Sequence, residues 1–333
     1  MNANTISTIA AAGLLVFSQA ALAQNYPDRS ITMVVPFAAG GPSDVVARIV
    51  AEGMSKHLKQ SIVIENIGGA GGTTGSARVA AAEPNGYMLL SSSMGSHVAA
   101  PSLYSNLKYD SRKDFEPIGM VMGGPAVVVA RNQVPSKNLQ EFISYVKANP
   151  GKVSQGHGGV GATSHMACLL FNLEAGINPN VVAYRGSAPA LNDVVSGHID
   201  YICDSTMGIA EQIKSGSVKA FAITSPDRVA ALPEVPTSKE AGLPKYDMSV
   251  WAAVFAPKGT PKPILDKLSD ALTKALDDKY VIERIEQLGG IVPSKQERTP
   301  AYLAQAVDTD ITRWEPILKS AVSAAQAAVE DKK

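Results

Sequence analysis

Charge imbalance, long apolar runs and metal-ligating clusters are all missing from the body of this sequence. Thirty Lys and Arg balance thirty Asp and Glu over 333 residues, and neither sign gathers into a stripe or a tail. Nucleic acid and anionic membrane surfaces are thereby excluded as main partners. After residue 23 no segment is apolar for long enough to cross a bilayer. Two cysteines, Cys168 and Cys203, are too few for a disulfide scaffold, and they read as two buried thiols rather than a bridge. His165 and Cys168 share a helical face, but further ligands with zinc spacing are absent, so no metal is expected. There is no G-x-S-x-G elbow and no P-loop Lys beside the glycines at 68–75.

What is present begins with an export signal. An apolar run from Ile9 to Leu22 ends in Ala21-Leu22-Ala23, a small-residue cleavage site, although the preceding MNANTIST lacks Lys and Arg. Residues 1–23 are therefore expected to be a signal peptide cleaved after Ala23, and the mature chain to be periplasmic. With 45% hydrophobic residues the mature chain can bury a sizeable core.

From Ile31 short apolar runs bounded by Gly, Pro or Asn alternate with helical spacing, which predicts an α/β fold of parallel strands covered by helices. Strands are expected at 31–36, 62–65, 87–91, 115–122, 125–131, 152–155, 181–184, 199–203, 218–224 and 248–256. Helices are expected at 44–58, 75–82, 139–148, 163–174, 188–196 and 208–215, and through most of the chain after Pro263. The strand–helix series starts twice, near Ile31 and near Lys152. Pro125–Arg131 and Met248–Ala256 read as crossovers between the two series. Two lobes follow, 24–125 with 249–333 and then 126–248, hinged by two crossings around a cleft. One large sheet is the competing arrangement.

Four corners rich in glycine and hydroxyls are placed to face that cleft. The first, Phe37 to Asp44, ends a strand and opens a helix through Gly40-Gly41-Pro42, with Ser43 or Asp44 as cap. The others are Ser91 to Gly95, Gly156 to Ser164, and Tyr184-Arg185-Gly186-Ser187 before a helix with Pro189 in its first turn. Backbone N–H groups at such helix starts are unpaired and carry the positive dipole end, so a small anion is the natural guest and no Arg is required. Gly156-x-Gly158-x-x-Gly161 matches a dinucleotide fingerprint, but the next strand ends in Tyr184-Arg185 rather than an acid. An NADP enzyme is the cofactor alternative, which export disfavours; no cofactor is expected.

These residues carry a resemblance. YPDRSITMVVPFAAGGPSDVVAR and VVAYRGSAPALNDVVSGHIDYICDS are similar to the two long signatures of the periplasmic receptors of tripartite tricarboxylate transporters, the Bug receptors. SHVAAPSLY and HMACLLF stand where the family has related segments. The resemblance implies a two-lobed Venus-flytrap fold that closes on a small organic carboxylate, has no catalytic chemistry, and delivers its ligand to membrane permease subunits, the receptor itself being a monomer. It implies that one carboxylate is held through backbone amides and ordered water. Phe37, Ala38, Ala39, Gly40 and Ser43 or Asp44 would line one side, and Tyr184, Gly186, Ala188, Pro189 and Asp193 the other. Ser92, His157, Thr163, Ser164 and Asp204 would meet the rest of the ligand and select an aromatic or aliphatic dicarboxylate. Two departures from the family pattern stand out: Arg185 replaces a Lys, and His157 stands where a small polar residue is commoner. Asp204 would repel an anion, so it suits water, hydroxyls or a ligand ammonium. An exported α/β hydrolase acting on a small ester or amide is the alternative function.

Overall fold

A computed structural model of the chain describes residues 25–330. The expected signal peptide and the expected cleavage after Ala23 lie outside the described residues. Strand β1 (Ile31–Val35) is almost wholly buried, as its unbroken apolar run requires of a strand covered on both faces. It pairs in parallel with β2 (Ile62–Asn66) and with β3 (Met88–Ser93). Helix α1 (Pro42–Leu58) joins β1 to β2 and packs Val46, Ile49, Val50 and Met54 against the sheet, at helical spacing. Helix α2 (Thr73–Ala80) leads into β3.

After β3 a π-helical turn, Gly95–Ala99, runs into the short helix α3 (Ala100–Leu103). Neither was anticipated, because a stretch opening Gly-Ser-His and carrying Pro101 lacks an extended helical stripe.

The segments expected as separate strands at 115–122 and 125–131 are one 17-residue strand, β4 (Phe115–Arg131). Gly123-Gly124-Pro125 resembles a break in sequence but is the place where β4 changes partners. Residues Phe115 to Pro125 pair antiparallel with β9 (Ser249–Pro257), while Ala126 to Arg131 pair with β7 (Tyr201–Ser205) and β8 (Val218–Ile223). Proline, which cannot donate to a ladder, sits at the handover. Beyond it β7 pairs in parallel with β5 (Ser154–His157), and β5 with β6 (Asn180–Ala183). The order is β2-β1-β3-β9-β4-β7-β5-β6 with β8 on β4, so each half carries three parallel strands. The result is a two-lobed α/β molecule in which β4 runs from one half into the other and the chain returns through the segment that leads into β9.

Helices α4 (Leu139–Ala148), α5 (Thr163–Ala175), α6 (Ser187–Val195) and α7 (Thr206–Lys214) cover the second half. Helices α8 (Lys262–Ala275) and α9 (Lys279–Gln287) follow β9, and α10 (Pro300–Glu330) closes the described chain. Leu303, Val307, Ile311, Trp314 and Leu318 form the buried stripe of α10, each worth on the order of 2 kcal/mol of apolar burial.

Cys168 on α5 and Cys203 on β7 are joined, with Cα atoms 5.0 Å apart. This corrects the expectation of two free thiols: helix α5 packs on β7, which sequence spacing cannot reveal. Among the described residues no helix is long and apolar enough to cross a membrane.

Candidate ligand-binding cleft

The corner between β1 and α1 is held by one carboxylate. Asp44, 3% exposed, accepts from Gly40 N–H at 2.9 Å and Arg48 Nε at 2.9 Å on Oδ2, and from Asn66 Nδ2 at 3.0 Å on Oδ1. Burial alone would raise its pKa, but these donors outweigh burial and hold the carboxyl below its ordinary value. Asn66 also donates to Phe37 O at 3.1 Å. The loop 37–44 is thereby fixed before any ligand arrives.

The two halves meet across this corner. Gly186, with φ +135, is placed so that a Cβ on it would come 3.1 Å from Ala38 Cβ. A Cβ on Gly208 in α7 would overlap Pro42 Cγ. Tyr104 Oη donates to Val160 O at 2.6 Å, and Thr163 Oγ1 to Ser93 Oγ at 3.4 Å. The two halves are in direct contact here.

Between them lies a cleft enclosing about 540 Å³, counted out to its open mouth. Among the described residues, four helices start on its wall: α1 at Gly41, Pro42 and Ser43, α5 at Ala162 and Thr163, α6 at Ser187, and α7 after Ser205. None of the four has a side-chain cap, whereas α4 and α9 are capped by Asn138 and Asp278. Orphan N–H groups and positive dipole ends from both lobes therefore converge on one space. Phe37, Met122, Val250 and Trp251 supply apolar wall, and no Lys, Arg or His lines it.

Among the described residues the one ionisable side chain on that wall is Asp204, 2% exposed, at the end of β7. Its Oδ1 accepts from Ser205 N–H at 2.7 Å, and its Oδ2 has no partner. Burial pushes the carboxyl up to about 6, against the opposing pull of the nearby Ser187 hydroxyl and the Ser205 N–H. The Ser187 proton itself is directed to Ser164 Oγ at 3.2 Å.

Comparison with known proteins agrees with this geometry. Residues 46–322 match the tripartite tricarboxylate transporter family receptor. A UPF0065 protein of Agrobacterium vitis is 40% identical over 321 residues, covering 96% of this chain and 92% of its own. The chain belongs to the tripartite tricarboxylate transporter receptor family. Among solved structures, MatC of Rhodopseudomonas palustris with bound malate is 42% identical at a TM-score of 0.85, covering 88% of this receptor and 100% of MatC. The periplasmic binding protein BugD is 43% identical at 0.86, covering 89% and 98%. R. palustris Rpa4515 with adipate is 30% identical at 0.85, covering 89% and 98%. The family is one of solute-binding receptors rather than enzymes, and the fold is that of periplasmic binding proteins.

Of the residues singled out in the receptor's sequence, Phe37, Ala38, Ser43, Thr163 and Asp204 share the cleft wall. Gly40 and Ala188 line an adjoining cavity that also touches Asp204. Tyr184 lines a separate cavity with Phe37 and Arg185, and its hydroxyl donates to Asp193 Oδ2 at 2.7 Å. Ala39 is exposed, Gly186 is pressed on Ala38, and Pro189 lines none of these three cavities. Asp44, Ser92, His157 and Ser164 are buried away from the opening. Ser92 Oγ lies 2.8 Å from Ser96 Oγ and 3.0 Å from His97 Nδ1. Ser164 Oγ accepts from Gly158 N–H at 2.9 Å. His157, 2% exposed, accepts the Gly159 N–H on Nδ1 at 3.1 Å, and burial depresses its pKa. Its neutral ring braces the loop.

The strand–corner–helix context of Gly156-x-Gly158-x-x-Gly161 is real, but the corner is filled. A Cβ on Gly158 would come 2.9 Å from Gly186 C and Ser187 N, where a pyrophosphate would have to pass. Sequence reasoning placed Ser93 and Ser187 in cleft-facing corners without naming them as ligand contacts, and missed Ser205 and Trp251 on the cleft wall. Trp251 Nε1 donates to Asp310 Oδ2 at 2.7 Å, tying the wall to α10. The available signal for Ser205 was its place in the strand–helix junction between the segments expected at 199–203 and 208–215; for Trp251 there was none.

Proposed function

We propose that this receptor captures a small organic carboxylate between its lobes and presents the closed form to the permease subunits of a tripartite transporter. The observation that carries this is the meeting of four uncapped helix starts, from both lobes, on a wall without a basic side chain. Because the lobes contribute to one anion site, ligand contacts are complete only on closure, and ligand shifts the population toward the closed state. The hinge would lie at Gly123–Pro125, where β4 changes partners, and at Met248–Ser249, where the chain enters β9, which would give lobes 24–125 with 249–333 and 126–248; the change of β4 partners after Pro125 supports this reading. Malate in MatC and adipate in Rpa4515 support a dicarboxylate-sized guest. Cleavage after Ala23 would deliver the receptor to the periplasm, where it would act as a monomer.

A thermal-shift screen of the chain from Gln24 onward against aliphatic and aromatic mono- and dicarboxylates, amino acids and NADPH tests this. A carboxylate a hundredfold above its Kd should stabilise by about 2.7 kcal/mol. Absence of a shift with every carboxylate would overturn the proposal. Turnover of a chromogenic ester would favour the hydrolase.

A further inference from the structure

The cleft wall holds one feature that a bare carboxylate leaves unexplained. Asp204 is a fixed acid facing an anion site, with Oδ1 committed to Ser205 N–H and Oδ2 without a partner. A buried acceptor left unmatched is costly, and the cost is recovered only if something donates to it. Among the described residues nothing on the wall fills Oδ2 by hydrogen-bond geometry: Thr163 donates to Ser93, the nearby Ser187 hydroxyl is directed to Ser164, Ser205 Oγ is itself without a partner, and no cationic side chain is present.

Resting on the proposed function, we infer that Asp204 makes the receptor selective for small carboxylic acids that also carry a protic donor, a hydroxyl or an ammonium, on the carbon skeleton. The carboxylate lies against the helix starts and the donor satisfies Asp204 Oδ2. Each helix start carries roughly half a positive charge. Four of them can neutralise Asp204 and one ligand carboxylate. A second, unsubstituted ligand carboxylate adds charge without satisfying Oδ2. Rejection of an analogue lacking the donor is expected to be strong, because the unmatched acceptor stays buried in the closed state.

Calorimetric titration of the mature receptor at pH 7.5 with succinate, L-malate and L-aspartate, and with propionate, L-lactate and L-alanine, holds each skeleton fixed while changing one substituent. In at least one series the hydroxy or amino acid is expected to bind ten-fold or more tightly than the unsubstituted acid. Asp204→Asn should abolish that preference for the ammonium, which needs the charge. It should reduce it less for the hydroxyl, which the amide oxygen can still accept. Succinate and propionate each binding as tightly as their substituted partners overturns the inference while leaving carboxylate capture standing. So does an unchanged preference in Asp204→Asn. Failure of the variant to fold leaves the wild-type series decisive. Binding of none of the six acids, nor of any carboxylate in the thermal screen, overturns both proposals together.

Discussion

Two aspartates flank the cleft, equally little exposed, and they behave as opposites. Asp44 at 3% exposure has both oxygens filled by Gly40, Arg48 and Asn66, and its pKa falls. Asp204 at 2% exposure has one filled oxygen and one empty, and its pKa rises to about 6. Low exposure is common to both, but Asp204 lies much deeper in the protein, so the opposite signs come from that depth together with the donors each meets. A saturated carboxylate fixes a loop. A half-satisfied one, held where the two lobes meet, stores an unmet hydrogen bond for something that arrives later.

The largest effect should come from loosening the frame that holds Asp204. Cys203 is its neighbour on β7, and the bond to Cys168 ties that strand to α5 across 35 residues. Loop-closure entropy assigns such a link about 4 kcal/mol. The double variant Cys168→Ser/Cys203→Ser should show that loss in a denaturant midpoint, together with a fall in ligand affinity. A loss under about 1 kcal/mol would mean the helix–strand packing alone fixes Asp204.

Removing Asp44 should cost less, about 2–3 kcal/mol for Asp44→Ala, mostly from the orphaned Gly40 and Asn66 donors. The Arg48 partner is 53% exposed and its pairing adds little. Because the folded pKa of Asp44 is depressed, its stabilisation is present above the ordinary value of 3.8 and is lost as pH falls through the folded value. Urea midpoints between pH 5 and pH 2 should separate wild type from Asp44→Ala at the upper end and bring them together at the lower.

Asp204 should give the opposite sign. Its folded pKa is raised, so stability is full below the ordinary 3.8 and declines as pH rises toward about 6. Two units correspond to about 3 kcal/mol. The amide hydrogens of Asp204→Asn recover part of that penalty as their own, leaving a net gain of about 1–2 kcal/mol at neutral pH. A more stable but less selective receptor is the expected outcome. A destabilised Asp204→Asn at pH 7 would place Asp204 with Asp44 as a structural acid.

How far this contrast could be read beforehand differs along the chain. The corner positions were legible, because a strand end, glycines and a helix start recur as local grammar: Phe37, Ser43 and Thr163 fall on the cleft wall as placed. Which face of β3 looks inward was not legible. Ser92 pairs with Ala253 and turns toward His97, whereas Ser93 pairs with Ala252, and both of the latter line the cleft. A one-residue difference in register exchanges the two faces, and that register is set by β9, over 150 residues away in the chain. Trp251 was invisible for the same reason. His157 looked like a ligand contact beside its glycines, but the Gly159 N–H turns its ring into a loop brace.

The smallest stability effect, and the cleanest separation of binding from folding, belongs to Gly208→Ala. Gly208 lies inside α7, where alanine is the better helix former by roughly 0.5–1 kcal/mol. The three nearest atoms that an added Cβ would meet all belong to Pro42 on the opposite wall, which it would overlap. The penalty therefore falls on closure and not on the lobe that carries α7. The melting temperature of the empty receptor should move by a few degrees at most, while affinity for its carboxylate falls ten-fold or more because the two sets of helix starts no longer meet. If affinity holds, Pro42 yields on closure, and the convergence of helix starts from both lobes, with Asp204 between them, is looser than the closed geometry requires.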